Sequence, residues 1–391
     1  MITRSGPSMM VLLFFISSLI LPGFTTAIST VDGLPIIKPE QYTTTSPVTI
    51  VGNQEVGGFA TAGNGSSTNP YIIREYRIES SDYCLRLENI SDYVILSDCH
   101  FSAETTNLVL ENVSNLLLDN TTLEGGEYGI YAFNVSNVAL QDCRLAGNTN
   151  GIYFGSSRNA TVESTRIYGG LLGIESRFSA NLSIGNNKVY GHSFRGIFLN
   201  TGSANCTVFG NEIGWNRIAN ARDDGTDNIW WSEQEGGNLW SNYDGAETYE
   251  IEGSATSADE DPGYLADLQR PEVQGPDDAF VVQNATDIEL TWVAEDNYPL
   301  NIQIFLDDAE QENQTWIPPT FSMRTGNLDI GTHNFTLIFS DASGNLVRDV
   351  VLITVTVSIF GGMGTTILLA SSILSVIGVV MVILILKRTA S

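Results

Sequence analysis

The chain has 391 residues, with 45 Asp+Glu against 18 Lys+Arg and a formal net charge of −27. That balance argues against nucleic acid as a partner, because phosphate binding needs a basic footprint. With 4 Cys, 37 Gly and 42% hydrophobic residues, a disulfide-dense mini-domain, a collagen and a disordered acidic tail are also excluded.

Residues 1–27 carry Arg4, an apolar core from Met9 to Leu21, then Pro22, Gly23 and the small-residue end Thr25-Thr26-Ala27. This charged, apolar, small-residue order predicts a signal peptide. The apolar core is shorter than the ~20 residues of a membrane span. Residues 28–47 are expected to be a linker.

From residue 84 the chain divides into six units, 84–106, 107–128, 129–150, 151–172, 173–195 and 196–217, each of 22 or 23 residues. Four open alike: Gly129-Ile130-Tyr131, Gly151-Ile152-Tyr153, Gly173-Ile174-Glu175 and Gly196-Ile197-Phe198. Apolar residues recur in register. One column is Leu85, Leu108, Ile130, Ile152, Ile174, Ile197, and another is Val94, Leu116, Val138, Ala160, Leu182, Cys206. Two more run Leu96 to Val208 and Phe101 to Ile213. Within a unit they alternate with polar residues, which marks short strands. Three short strands per 22 residues, stacked unit on unit, predict a parallel β-helix. Seven coils at ~4.8 Å each would span roughly 34 Å.

A polar column, Cys99, Thr121, Cys143, Thr165, Asn187 and Asn211, is expected to point inward at a turn. Amides stacked there can bond to the coils above and below. Cys99 and Cys143 stand two coils apart, about 9–10 Å, beyond disulfide reach. All four cysteines therefore read as small core residues, and no cysteine metal site is expected.

Flanking the units are Val48-Thr49-Ile50-Val51-Gly52-Asn53, Asn69-Pro70-Tyr71-Ile72-Ile73 and Gly237-Asn238-Leu239-Trp240-Ser241-Asn242-Tyr243. With the Gly-Ile-Tyr coils, residues 48–265 resemble the right-handed β-helix family of NosD-type and of carbohydrate-binding and sugar-hydrolase repeats. The resemblance implies a pectin-lyase-like solenoid and leaves function open, since one fold carries many functions. Trp230, Trp231, Trp240 and Tyr243 are expected to cap the last coil.

Residues 270–357 change pattern. Asp287–Val293, Asn301–Leu306, Thr332–Phe339 and Val347–Val357 alternate or run apolar, which predicts a β-sandwich. The stretch Gly331-Thr332-His333-Asn334-Phe335-Thr336-Leu337 and the turn Ser343-Gly344-Asn345 resemble Ig-like modules of prokaryotic surface proteins, which reads as a spacer. Residues 359–386 are uncharged and apolar, and Lys387 and Arg388 open a short tail, 387–391. That pattern predicts one transmembrane helix with a cytoplasmic tail. The expected whole is an all-β chain plus one C-terminal transmembrane helix. It would be a single-pass type I protein of the cell membrane with its large N-terminal part extracellular.

Eleven sequons occur, at Asn64, Asn89, Asn112, Asn120, Asn134, Asn159, Asn181, Asn205, Asn284, Asn313 and Asn334. That is roughly twice the chance number, and it reads as a glycoprotein. Asn89, Asn112 and Asn134 share a column, where glycans about 4.8 Å apart would crowd.

Three chemistries are weighed for the β-helix. Copper, the NosD-type function, needs soft or imidazole ligands, but no Met falls in the repeat and His100 and His192 occupy different columns. Polysaccharide lyase or epimerase chemistry needs carboxylates beside a base. Asp142, Glu163, Arg144 and Arg166 are the candidates, flanked by Asp98, Asp119, His100 and Lys188, although cross-coil surface pairs would give the same stripe. Glycan binding is suggested by Tyr131, Tyr153 and Phe198, which share an outward column interrupted by Glu175, although a surface apolar stripe covered by the N-terminal segment or by turns would give the same column. The acidic loops Asp223, Asp224, Asp227 and Asp259–Asp261 offer oxygen ligands for calcium, but without a recognised spacing they read first as solvated acidic loops. No other cofactor is indicated, and the expected partners are the membrane and surface glycans or proteins.

Removing Arg4, Lys387 and Arg388 from the 18 basic residues leaves 15 against 45 acidic ones between the two apolar ends. So acidic an exterior disfavours anionic uronate polymers as ligands.

Overall fold

The computed structural model describes residues 42–283 and 288–357. The signal peptide 1–27, most of the 28–47 linker, the transmembrane segment 359–386, the tail 387–391 and Asn284 lie outside the described residues. Two compact units form, one up to Leu265 and one from Ala266 onward.

The first unit is a solenoid of about nine turns, built from three parallel sheets. Sheet A has ten strands: Thr43–Thr45, Tyr76–Ser80, His100–Ala103, Thr122–Glu124, Arg144–Ala146, Arg166–Tyr168, Lys188–Tyr190, Glu212–Gly214, Leu239–Trp240 and Gly263–Tyr264. Sheet B has eight, from Val48–Val51 to Ala219–Asp223, and sheet C seven, from Tyr71–Arg74 to Thr207–Phe209. The turns beyond the seven expected come from the flanks. Thr43–Thr45, inside the expected linker, pairs with Tyr76–Ser80, and Leu239–Trp240 and Gly263–Tyr264 extend sheet A past the last repeat.

The inward columns are those of the repeat. Leu85, Leu108, Ile130, Ile152, Ile174 and Ile197 are all fully buried, as are Val94, Leu116, Val138 and Cys206. The glycines that open the coils are needed for close approach. A Cβ on Gly129, Gly151, Gly173 or Gly196 would lie 2.6, 2.5, 2.4 or 2.6 Å from the carbonyl oxygen of the next coil. Any side chain there would push adjacent coils apart.

The polar column is a buried hydrogen-bond ladder. Thr165 N–H donates to Asn187 Oδ1 at 2.9 Å, Asn187 N–H to Asn211 Oδ1 at 2.9 Å, and Asn211 N–H to Asn238 Oδ1 at 3.1 Å. The ladder ends on Asp259, whose Oδ2 accepts from Asn238 N–H at 2.7 Å and from the Trp240 indole at 2.9 Å. Each corner N–H that the coil cannot pair is thereby satisfied by the coil beyond it.

Both ends of the solenoid are covered. The helix Asn53–Phe59 buries Val56, and Phe59 stacks on Tyr76 with ring centroids 4.7 Å apart. At the other end Trp230 and Trp240 are fully buried, and Tyr249 stacks on Trp240 at 4.1 Å. Trp230 donates its indole N–H to the buried Asp223 at 2.9 Å.

The second unit has a three-stranded sheet, Glu272–Gln274, Glu289–Glu295 and Thr320–Arg324, and a five-stranded one. The latter runs Ala279–Val282, Leu346–Thr356, Gly331–Asp341, Pro299–Leu306, Ala309–Thr315. They share a core of Trp292, Trp316, Phe335, Leu337, Phe339, Val351 and Ile353. The edge strand Ala309–Thr315, Ala-Glu-Gln-Glu-Asn-Gln-Thr, is invisible to a hydrophobic pattern because no residue in it is buried. Its charge blunts an edge that could otherwise pair with another chain.

The expected fold class needs one correction. Among the described residues no helix is long and apolar enough to cross a membrane. The helix Asn53–Phe59, seven residues, is about 10 Å long against a hydrocarbon core of about 30 Å. The described fold is all-β. The C-terminal transmembrane helix, the membrane as a partner through it, and the single-pass type I location are therefore withdrawn as conclusions.

Candidate functional site

The outer face of sheet B carries a run of aromatic residues. Tyr131 and Tyr153 pair in register on adjacent strands, and their rings stack at 5.3 Å and 13°. Tyr128 meets both edge-on, at 5.4 and 6.1 Å. Phe133 is 42% exposed, and Gly155, in register with it, leaves room for both Phe133 and Tyr153. A Cβ on Gly155 would come within 2.9 Å of each ring. Tyr128 and Phe133 escaped the sequence reading because they lie outside the Tyr131 column, three residues before it and two after it. The signal that could have found them is the glycine at 155, where a strand with outward side chains has none.

Beyond Tyr153 the column continues through Glu175 to Phe198. Two strand spacings, about 9.6 Å, separate the two aromatic positions. Glu175 stands between them and is held in place: Arg177 donates to its Oε1 at 3.3 Å and the Asn200 amide at 3.1 Å. Arg195 lies over the rings of Phe194 and Phe198, at 3.9 and 5.0 Å. Burial, then neighbouring Arg222, lowers its pKa. The face thus alternates aromatic surface with fixed acceptors and donors, the composition that orients a polyhydroxylated ligand.

The other stripe lies at the corner between sheets C and A. Arg144 and Arg166 pair in register on sheet A. Glu163 aligns with Gln141 and Asp119 at the ends of sheet C strands, whereas Asp98 and Asp142 occupy the left-handed corner, with φ of 53° and 52°. Burial, then Asp142 and Asp98, raises the Asp119 carboxyl above its usual range, and burial, then Glu163, raises Asp142. Other members are ordinary cross-coil pairs: His100 Nε2 lies 2.6 Å from Glu124 and Lys188 Nζ 2.9 Å from Glu212.

The remaining candidates have structural duties. Asp223 and Asp259 are fully buried and hold the cap tryptophans, and Asp224 pairs with Arg222 at 2.7 Å. His192 is buried, and desolvation lowers its pKa to about 4. All four cysteines are free and buried. In the second unit, Asp267, Asp296 and Asp341 place carboxylate oxygens within 4.8 Å of one another. The sequence reading missed this trio, which is scattered over 75 residues.

The sequons have a geometric origin. Asn89, Asn112, Asn120, Asn134, Asn159, Asn181 and Asn205 all adopt φ between 42° and 56°, the left-handed region that asparagine tolerates. The next residue points inward (Ile90, Val113, Thr121, Val135, Ala160, Leu182, Cys206, all buried) and the third returns to the surface as Ser or Thr. The coil corner asks for Asn, a core residue and a polar strand residue in that order. This accounts for the excess of sequons without glycans. Five of these asparagines bond to the coil before: Asn112 donates to Asn89 at 3.0 Å, Asn120 to Asp98 at 2.7 Å, Asn134 to Asn112 at 2.6 Å, Asn159 to Asn137 at 3.5 Å and Asn181 to Asn159 at 3.1 Å.

Residues 57–213 match the family described as a right handed beta helix region. This part of the chain is a right-handed β-helix. Among solved structures, the mannuronan C-5 epimerase A-module of Azotobacter vinelandii is 16% identical over 48% of this chain and 52% of its own, with a TM-score of 0.37. The present chain thus spans about half the length of that module. The enzymatically active domain of bacteriophage CBA120 tailspike protein 2 is 9% identical over 79% of this chain and 71% of its own, at 0.28. Fibronectin(III)-like modules of Clostridium thermocellum CbhA are 16% identical over 22% of this chain and 98% of their own, at 0.19. No curated protein matches the chain.

Proposed function

We propose that the β-helix is a glycan-binding module whose sheet B face receives a saccharide chain. The observation that carries this reading is the Tyr131–Tyr153 stack, followed in register by a fixed carboxylate, Glu175, and a second aromatic residue, Phe198. Aromatic surface takes the apolar face of a sugar ring, while Glu175, Arg177 and Asn200 meet its hydroxyls. The strand spacing supports a chain laid along the solenoid axis, because each coil repeats the surface every ~4.8 Å. The acidic exterior, 45 acidic residues in the whole chain, favours neutral over anionic glycans. The second unit is a spacer in this reading, and the Ig-like resemblance belongs to it.

Retention on a glycan array and affinity electrophoresis in neutral polysaccharide test it. Tyr131→Ala and Tyr153→Ala should each weaken retention about tenfold with an unchanged circular dichroism spectrum. Absence of retention by the unaltered protein, or unaltered retention by the double variant, refutes it.

A second reading has its own observation, the raised carboxyls of Asp119 and Asp142 beside Arg144 and Arg166. A carboxyl raised by burial beside cationic side chains is the kind of group that general acid–base catalysis employs, and polysaccharide lyase or epimerase chemistry is of that kind. Release of unsaturated uronate, or a change in uronate epimer ratio, abolished by Arg166→Ala or Asp142→Asn, would favour it over binding alone.

A further inference from the structure

Sheet A continues two strands beyond the last full strand of sheet B, because Leu239–Trp240 and Gly263–Tyr264 are answered after Ala219–Asp223 only by an isolated parallel bridge from Arg222 to Glu252. The corner after Trp240 therefore leads into a single bridge and not into another full strand of sheet B. It leaves a step, which is a cleft of about 400 Å³.

One residue in that step breaks the repeat. At the sheet A to sheet B corner, Gly125, Gly147, Gly169 and Gly191 hold φ of 68°, 67°, 72° and 70° in successive coils. Their N–H groups bond to the next coil, as Gly147 does to Tyr168 and Gly191 to Gly214. The following coil keeps the same conformation, φ 52°, but the residue is Trp215. Its N–H bonds to the Ser241 hydroxyl at 2.8 Å instead. A bulky side chain in the left-handed region is strained, and four coils show that glycine serves the backbone there. The strain is accepted where the indole lines the cleft, and strain of this kind concentrates at ligand sites.

Beside the apolar Ile218, Ala219 and Ala221, the lining carries polar groups of both signs. Arg217, Asn242 and Glu252 are exposed, and Tyr249 is half-buried. The Asn242 carbonyl is already used, accepting from Asn220 at 2.6 Å and from the Tyr249 hydroxyl at 3.1 Å. This fixes the amide so that its NH₂ group is the free end. An anionic ligand would meet Glu252 and a cationic one Arg217. Vicinal hydroxyls, which both donate and accept, use an amide N–H, a guanidinium and a carboxylate together, while an indole takes the apolar face of the ring.

We propose that this terminal step is a second, separate binding site for a single neutral pyranose, with Trp215 as its aromatic platform and Asn242, Glu252 and Arg217 as its polar contacts. The site goes beyond the lateral face and does not depend on it.

Isothermal titration of the full chain with D-glucose, D-galactose and D-mannose, beside calorimetric melting, tests the proposal. At least one sugar should give saturable binding. Trp215→Gly restores the residue of the preceding coils, so it should leave the melting transition unchanged or raise it while weakening binding about tenfold or more. Glu252→Gln changes an exposed group only and should weaken binding with unchanged melting, while Asn242→Ala, which also removes the acceptor of the buried Asn220 amide, should weaken binding and lower melting. Glu252→Gln decides the matter if Trp215→Gly melts early. Binding that persists in the Tyr131→Ala/Tyr153→Ala double variant separates this site from the lateral face. No saturable binding at millimolar sugar, or wild-type binding in both Asn242→Ala and Glu252→Gln, overturns the proposal.

Discussion

Trp240 donates its indole hydrogen to Asp259 across 2.9 Å, and the same carboxylate oxygen receives the backbone N–H of Asn238 at 2.7 Å. The inner amide ladder and the aromatic cap therefore share one buried anchor. Asp259→Ala would leave both donors unsatisfied in a dry interior and should destabilise the β-helix by about 3 kcal/mol. Asp259→Asn retains one acceptor oxygen and should cost less. Denaturant titration of each variant measures the difference.

Within the ladder, Asn211 is a rung bonded to the coils on both sides. Its Oδ1 accepts from Asn187 N–H and Nδ2 at 2.9 and 3.0 Å, and its own Nδ2 donates to Ile184 O at 2.9 Å and to Asn238 Oδ1 at 2.8 Å. Asn211→Leu should destabilise by about 2–3 kcal/mol, since it strands the Asn187 donors and the Ile184 carbonyl. Asn211→Thr should be milder, because Thr121 and Thr165 occupy the same column. Their hydroxyls accept from Cys99 N–H and Cys143 N–H, each at 3.3 Å. Thermal melting of the two variants ranks them.

The two units should respond to acid in opposite ways at histidine. In the β-helix, burial lowers the His192 pKa from 6.5 to about 4. The unfolded chain binds the proton first, so this contribution to stability is complete above pH 6.5 and is lost as pH falls towards 4. His192→Asn, which places there the residue found at the equivalent corner positions 148 and 216, should flatten the acid limb. In the second unit, hydrogen bonds to Asp307 and then to the Asp329 carbonyl raise the His333 pKa. That contribution is complete below the unfolded histidine value and is lost as pH rises through the raised folded value. Asp307 is lowered, first by Asn334 N–H and then by His333, so its share is lost as pH falls through the lowered value. Melting of each transition across pH 3–9 separates these effects, and His333→Ala should remove the alkaline loss.

Burial pushes the thiols of Cys84, Cys99 and Cys143 up to about 12 and that of Cys206 to about 11. Thiolate is the reactive form. A thiol reagent at pH 8 should label none of the four in the folded protein and all four in denaturant. Labelling of Cys206 ahead of the other three in native buffer would mean that the capped end opens locally.

Much of the β-helix was legible from periodicity. Ile130, Ile152, Ile174 and Ile197 recur because each coil must bury the same point of its outline, and the Asn corners recur because each coil must turn in the same way. Such features are written once per coil, and repetition exposes them. The aperiodic parts were not legible. The acidic loops at Asp223 and Asp259 read as solvated or cation-binding from composition, yet each is a buried acceptor for a tryptophan. Only the fold brings Trp230 and Trp240 to them.

The same division runs through the sites. The sequence by itself determined the strand period, the inward columns and the register that lines up Tyr131, Tyr153 and Phe198, because stacked coils translate spacing directly into neighbourhood. Only the tertiary structure decided that Tyr128, Phe133 and Gly155 complete the face, that the seven sequon asparagines of the coils sit at left-handed corners, and that sheet A outlasts the full strands of sheet B to leave the step beneath Trp215. Each of these depends on where the repetition ends or on which side chain a turn carries outward. Those are properties of the assembled coils and not of the period.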